Sequence, residues 1–189
     1  MTQSDTKTAL LDCAQDLIQR VGVNAMSYKD LADKVGIRKA SIHYHFPKKD
    51  DLIQCLLSRC HENYSCDYGQ IANCDKSAPE KFMLIADMFA ESLKNNKMCL
   101  VGMLSVEHAT LSDEVKSSIV NNISDSLALF SRIAQQGIEE GSIKPDADSG
   151  LVAHGLLSML LGAQVIARCT GDLDGFTAAI RAHVDSLAP

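Results

Sequence analysis

The chemistry of this chain concentrates in residues 24–52, NAMSYKDLADKVGIRKASIHYHFPKKDDL. Four cations, Arg38, Lys39, Lys48 and Lys49, bracket Ser41, His43, Tyr44 and His45. Cations at both ends of a short segment suit phosphate oxygens, and the side chains between them suit the groove those phosphates border. The elements that must carry them are short. Ser27 starts a first helix, with Asp30 three positions on as a capping box. Leu31, Ala32 and Val35 form its apolar face, and Gly36 makes a tight turn. A second helix opens on Arg38-Lys39 and carries Ala40, Ser41, His43, Tyr44 and His45. A helix-turn-helix of this layout places its second helix in the major groove of DNA.

Charge follows the same division. Through residue 60 there are nine Lys and Arg against seven Asp and Glu, whereas the remainder carries nine against seventeen. A mildly basic head on an acidic body is the pattern of a DNA-binding protein. The competing reading is an ordinary helical hairpin with a few surface lysines. Cap, glycine turn, basic-aromatic helix and the HFPKK close together favour the first.

These residues resemble the DNA-binding domain of the TetR family of transcriptional regulators. The likeness lies in LLDCAQDLIQRVGVNAMS, LADKVGIRKASIHYHF and KKDDL after Pro47, and in a length near 190 residues. The resemblance implies an all-helical homodimer on a near-palindromic operator, with a small molecule in the C-terminal domain releasing it. It also implies that Ser27 and Tyr28 begin the helix that meets backbone phosphates, that Arg38 through His45 form the recognition helix, and that Lys49 meets a phosphate. Phe46 is a core residue on this reading. Two positions depart from the family: His43 stands where tyrosine is usual, with Tyr44 one place later, so either residue takes that contact. Lys48 stands where a small helix-capping residue is common.

Composition sets further bounds. A hydrophobic content of 46% with 22% charged residues builds a real core. The sequence shows neither an N-terminal apolar leader nor an 18-residue uncharged apolar run, so a cytoplasmic protein without a membrane partner is expected. Seven cysteines, none in a C-x-x-C pair, indicate free thiols in a reducing compartment. The spacings of Cys55, Cys60, Cys66 and Cys74 match no structural zinc pattern, and neither metal nor cofactor is expected.

The periodicity predicts an all-α fold of about nine helices, which the resemblance divides into a three-helix DNA-binding domain over 1–50 and a ligand-binding and dimerisation domain over 51–189. A first helix spans about Thr6 to Arg20, with Leu10, Leu11, Ala14, Leu17, Ile18 and Val21 on one face and Gly22 as its stop. A fourth starts near Lys48 and fades around Cys66–Ile71, and a linker follows from Ile71 to Pro79. A fifth buries Phe82, Ile85, Ala86, Phe89 and Leu93. A sixth runs from Met98 to Ala109. The seventh, capped by Ser112, reaches about Glu140, roughly 42 Å at 1.5 Å per residue. Asp146 or Asp148 starts an eighth helix that is apolar nearly all round from Leu151 to Ile166, and a ninth runs from about Leu173 to Leu187. A helix apolar on every side must be covered twice. With small residues Gly155, Ser158 and Gly162, the last two helices are expected to pack against their copies in an isologous dimer.

A ligand pocket is expected among helices five to eight, lined by Phe82, Met88, Phe89, Cys99, Met103, His108, Phe130, His154, Met159 and Gln164. Cys99 opens helix six beside Lys97, where a helix dipole lowers a thiol pKa. The segment CLVGMLSVE is similar to the helix-six region of TetR-family regulators that include thiol-based sensors. The alternative function, a small helical enzyme or ligand carrier without DNA binding, has little in the sequence to support it. There is no Gly-rich phosphate loop, no H-E-x-x-H and no G-x-S-x-G, so no catalytic residue is assigned.

Overall fold

A computed structural model describes residues 3–189, and every regular element among them is helical. The order is α1 (Gln3–Val21), α2 (Tyr28–Val35), α3 (Lys39–His45), α4 (Lys49–Asn73), α5 (Ala78–Lys94), α6 (Leu100–Val106), a single 3-10 turn (His108–Thr110), α7 (Asp113–Glu140), α8 (Ser149–Thr170) and α9 (Leu173–Asp185). The chain divides into two compact units. The first holds residues up to Glu62 together with Cys99–Asn122, and the second holds Asn63–Met98 and Ile123–Pro189.

The first unit is built on short helices around Leu10, Ala14, Ile18, Leu31, Ile42, Phe46, Leu52 and Leu56, all buried. Val21, expected on the apolar face of α1, is exposed because the helix ends there and the chain turns away at Gly22. Arg59 of α4 donates to Asp12 and Gln15 of α1 at 2.5 and 2.6 Å, fixing the two helices side by side. The sixth helix is shorter than its sequence pattern: it begins at Leu100 with Cys99 as its N-cap and closes at Val106, and the expected final turn is the separate 3-10 turn.

The second unit packs α5 against α9 and α8, and α8 against α9. Phe82, Ile85, Phe89, Phe130, Leu156, Leu160, Phe176 and Ile180 are its interior. Tyr68 packs on Phe130 with ring centroids 5.7 Å apart, and Tyr64 stacks on Tyr68 at 5.2 Å. These rings explain why α4 runs on to Asn73, past the point where its apolar pattern weakens: aromatic burial holds its last turns. The expected linker shrinks to the few residues before Ala78. Lys81 is buried there, its ammonium donating to Ala72 O at 2.8 Å and Gln136 Oε1 at 2.6 Å. Gln136 Nε2 passes the chain to Glu140 Oε2, and Glu140 Oε1 accepts from Ala78 N. The ends of α4, α5 and α7 are thus joined by one polar clasp, and its bonds to Ser142 and Ala78 hold the Glu140 carboxyl below the usual carboxylate range.

α8 begins at Asp148, whose side chain accepts from Leu151 N. By length and composition it is apolar enough to cross a membrane, although only part of it is buried within this chain. Leu151, His154, Ser158, Gly162, Val165, Ile166 and Cys169 are exposed and recur along one stripe of the helix. Leu151 and Ile166 are 71% and 65% exposed, so the apolar cover that the sequence demands does not come from within the chain.

Phe130 sits at the centre of the second unit, so Phe130→Ala should lower stability by about 3–5 kcal/mol through lost burial and a residual cavity. Urea unfolding followed by far-UV circular dichroism checks this; a loss under about 1 kcal/mol would contradict the packing described.

Candidate nucleic-acid interface

The local geometry from Ser27 to Asp51 follows from three caps. Ser27 accepts from Asp30 N while Asp30 Oδ2 accepts from Ser27 N at 2.9 Å, a complete capping box that holds the Asp30 carboxyl below its usual range. At the other end of α2, Gly36 takes a left-handed φ of 75° and its N–H returns to Ala32 O, turning the chain within one residue. α4 is started from Lys48 N, which donates to Asp51 Oδ2 at 2.8 Å. Asp51 therefore does the capping for which the Lys48 side chain is unsuited.

Between these caps lies α3. Ile42 is fully buried, and Lys39, Ala40, His43 and Tyr44 are exposed on the other side, with Arg38 exposed just before the helix. Ser41 and His45 are half-buried at the margins. Tyr44 is 72% exposed and touches His45 edge-on at 5.4 Å. His43 is more constrained. Its ring stands edge-on to Tyr28 at 5.0 Å, with Nδ1 3.4 Å from Pro47 O. Phe46 is buried, as expected, and Lys7 lies over its ring at 5.8 Å.

Two residues assigned to phosphate have further partners. Tyr28 is buried, and its hydroxyl lies 2.9 Å from Phe46 O and 2.8 Å from Lys48 O, clamping the end of α3 to the start of α2. The Lys49 ammonium donates to Val23 O and to Met26 O in the loop before α2. Burial draws the Lys49 pKa down, while Glu107 and Asp50 act against that shift. An ammonium has three N–H donors, and two are directed here to backbone.

The expected ligand-contact residues are distributed as follows. In the second unit Phe82, Phe89, Phe130 and Gln164 are buried, Met88 and Met159 are half-buried, and His154 is exposed. Gln164 Nε2 donates to Phe89 O at 3.4 Å. In the first unit Cys99 and Met103 are half-buried and His108 is exposed. A recess of about 270 Å³ in the second unit is lined by Met83, Leu84, Asp87, Arg181 and Val184 among others, and includes none of the expected residues. The Cys99 thiol is less acidic than its place at a helix N-terminus implies. Burial pushes its thiol pKa up, against the backbone N–H groups of Gly102 and Val101 that pull it down. The dipole of a seven-residue helix is outweighed by desolvation. Sequence reasoning missed Glu107, Asn24 and Thr110. Glu107 Oε2 accepts from Val23 N and from Asn24 N, and Asn24 Nδ2 donates to Thr110 Oγ1 at 3.0 Å. No motif announces a pair 84 residues apart.

Tyr28 supplies a pH test. Burial, then the carboxylates of Asp51 and Asp50, push its phenol up to about 12. The folded state thus favours the protonated form. The resulting stability is complete below the unfolded value near pH 10 and is lost as pH climbs from there towards 12. Tyr28→Phe should lower stability at about pH 8 by about 1–2 kcal/mol, since it removes the single O–H that the Phe46 and Lys48 carbonyls share. The difference from the parent should narrow between about pH 10 and 12. Denaturant melts across that range decide it; a difference that stays constant would refute the assignment.

Comparison with known proteins is consistent with this arrangement. The family described as "Bacterial regulatory proteins, tetR family" matches residues 10–56, and "Tetracyclin repressor-like, C-terminal domain" matches residues 80–183. The HTH-type transcriptional repressor KstR2 of Mycolicibacterium smegmatis is 26% identical over 144 residues, covering 76% of this chain and 70% of that protein. The crystal structure of a TetR-family transcriptional regulator from Agrobacterium tumefaciens superposes with a TM-score of 0.95 at 24% identity, over 100% of both chains. A TetR transcriptional regulator from Legionella pneumophila superposes with a TM-score of 0.86 at 28% identity, over 97% of both.

Proposed function

The chain belongs to the TetR family of transcriptional regulators, and on that premise we propose that it is a cytoplasmic repressor that grips a near-palindromic operator as a homodimer and lets go when a small molecule binds its C-terminal part. As a member of that family it is a DNA-binding regulator and not an enzyme. Residues 1–50 are the reading domain on this proposal, and 51–189 the ligand-binding and dimerisation domain. No membrane, metal or cofactor enters it.

The observation that carries the reading is the two-sidedness of α3. Ile42 anchors one side in the core, and Lys39, Ala40, His43 and Tyr44 stand exposed on the other. A helix so mounted can enter the major groove with Lys39 and Tyr44 towards base edges and Arg38 and Lys48 flanking it towards phosphates. Tyr44, 72% exposed while the His43 ring stands edge-on against Tyr28, is the better candidate for the contact that the sequence leaves open between them. Ser27 and Tyr28 offer first-turn backbone N–H groups of α2 to a phosphate, and Lys49 keeps one donor for the same purpose. The name of the smegmatis relative supports repression over activation.

Dimerisation rests on the stripe of α8. Its exposed Leu151, Val165 and Ile166, with Ser158 and Gly162 between them, form an apolar surface that a second copy of α8 and α9 would cover. Two recognition helices about 34 Å apart would then read successive major grooves. A small molecule in the second unit is favoured as the releasing signal over a thiol-reactive one, since the raised Cys99 pKa leaves little thiolate to react.

Anisotropy titrations on DNA from the chain's own upstream region should show log K falling linearly with log salt, by about 0.9 per phosphate neutralised. Lys49→Ala should weaken operator and random DNA alike. Lys39→Ala and Tyr44→Ala should instead change sequence preference, by about 1–3 kcal/mol for each base that is no longer read. Equal losses on operator and random DNA for Tyr44→Ala would contradict its role. In sedimentation the parent should run as twice its 20.5 kDa monomer, and Val165→Asp with Ile166→Asp should run as one. A monomeric parent at micromolar concentration would remove the dimer.

A further inference from the structure

The loop between α1 and α2 is held on both of its polar sides by side chains that arrive from elsewhere in the chain. α1 closes with Gly22 N donating to Ile18 O, and the next two N–H groups, of Val23 and Asn24, point to one carboxylate oxygen, Glu107 Oε2. Glu107 is the C-cap residue of α6. The carbonyls of the same loop, Val23 O and Met26 O, accept from Lys49 at the start of α4. A second link runs beside the first: Asn24 Nδ2 donates to Thr110 Oγ1, three residues beyond Glu107. The approach is close. A Cβ added at Gly22, which has a φ of 90°, would lie 2.7 Å from Glu107 Oε1. One residue after Met26 comes Ser27, the N-cap of α2.

We propose that Glu107 is the positioning residue through which the end of α6 sets the angle of the helix-turn-helix. The inference rests on the DNA-binding reading above and deepens it. Glu107 touches no base. It acts through the loop, and the loop acts through α2, whose capping box, Gly36 turn and Tyr28 clamp carry α3 with it as one piece. Bonds to an ionised acceptor are stronger than neutral ones, so the two N–H groups follow the carboxylate when α6 moves. A displacement of the α6 C-terminus therefore becomes a tilt of α3. Whatever signal reaches α6 has a direct mechanical route to the reader.

The sign of one substitution separates this role from plain electrostatics. Glu107 is an anion in a domain that binds a polyanion. If charge were its only contribution, Glu107→Ala would tighten DNA binding. As a positioning residue its loss should weaken operator affinity about 10- to 100-fold, with the salt slope unchanged because every phosphate contact remains. Gly22→Ala should reproduce the loss from the other side of the contact, and Glu107→Gln, which keeps an acceptor of the same shape, should recover part of it. Amide exchange read by NMR on the free protein gives an arm that needs no DNA. Val23 and Asn24 should lose protection in Glu107→Ala while amides within α8 keep theirs. Weaker operator binding together with faster exchange at those two amides supports the proposal. Parent-like or tighter binding by a folded Glu107→Ala protein overturns it, and so does unchanged exchange at Val23 and Asn24. Should Glu107→Ala fail to fold, Gly22→Ala crowds the Glu107 carboxylate from the other side, and operator binding at the parent's affinity there overturns the proposal. Should the parent bind no DNA, the functional reading falls, and exchange at the two amides still decides whether Glu107 holds the loop.

Discussion

A seven-residue helix does not hold itself together in water, and the reading of DNA on this proposal depends on one. Nucleation costs more than so short a run of hydrogen bonds returns, so α3 exists only because its surroundings impose it. Ile42 in the core supplies the apolar anchor, and Gly36 sets where the helix can begin. The Tyr28 hydroxyl closes the far end by meeting Phe46 O and Lys48 O, at the point where α3's last carbonyls have run out of helical donors. Each device is small. Together they convert a marginal segment into a rigid mount, and the exposed side chains inherit that rigidity.

The same economy governs the loop before α2. Its peptide groups are polar and sit against packed helices, so each must find a partner or be a source of instability. A carboxylate takes the N–H side and an ammonium the C=O side. Fixing a loop by two opposite charges leaves it no latitude of its own: its conformation is the one that α4 and α6 dictate. A rigid reader attached to obedient joints is what a regulated DNA-binding protein requires, because small shifts elsewhere then reach the groove undiminished.

Much of this was legible in the residues. Capping boxes are local, so Ser27 and Asp30 are visible as a pair in the sequence and recur as one in the structure. The apolar face of α5 follows the helical period and is buried throughout, and in α1 Leu10, Ala14 and Ile18 are buried while Leu11 and Leu17 are half-buried and Val21 is exposed. The departures have physical causes. α4 outlasts its apolar pattern because Tyr68 finds Phe130, a partner far along the chain. α6 divides because its final turn follows the 3-10 path around Glu107. The place of Cys99 at a helix N-terminus favours an acidic thiol, whereas desolvation, which no local pattern records, raises its pKa.

The sequence alone determined the class of fold, the position of the helix-turn-helix and the family, because those depend on period, caps and local motif, all readable within a few turns of chain. Only the tertiary structure decided which polar side chains face outward and which are turned to backbone. Tyr28, Lys49 and Glu107 all carry polar ends, yet each is directed inward by an unsatisfied carbonyl or N–H group. Those partners lie 18, 23 and 84 residues away, and the need of a buried peptide group for a hydrogen bond is felt only once the chain has folded around it.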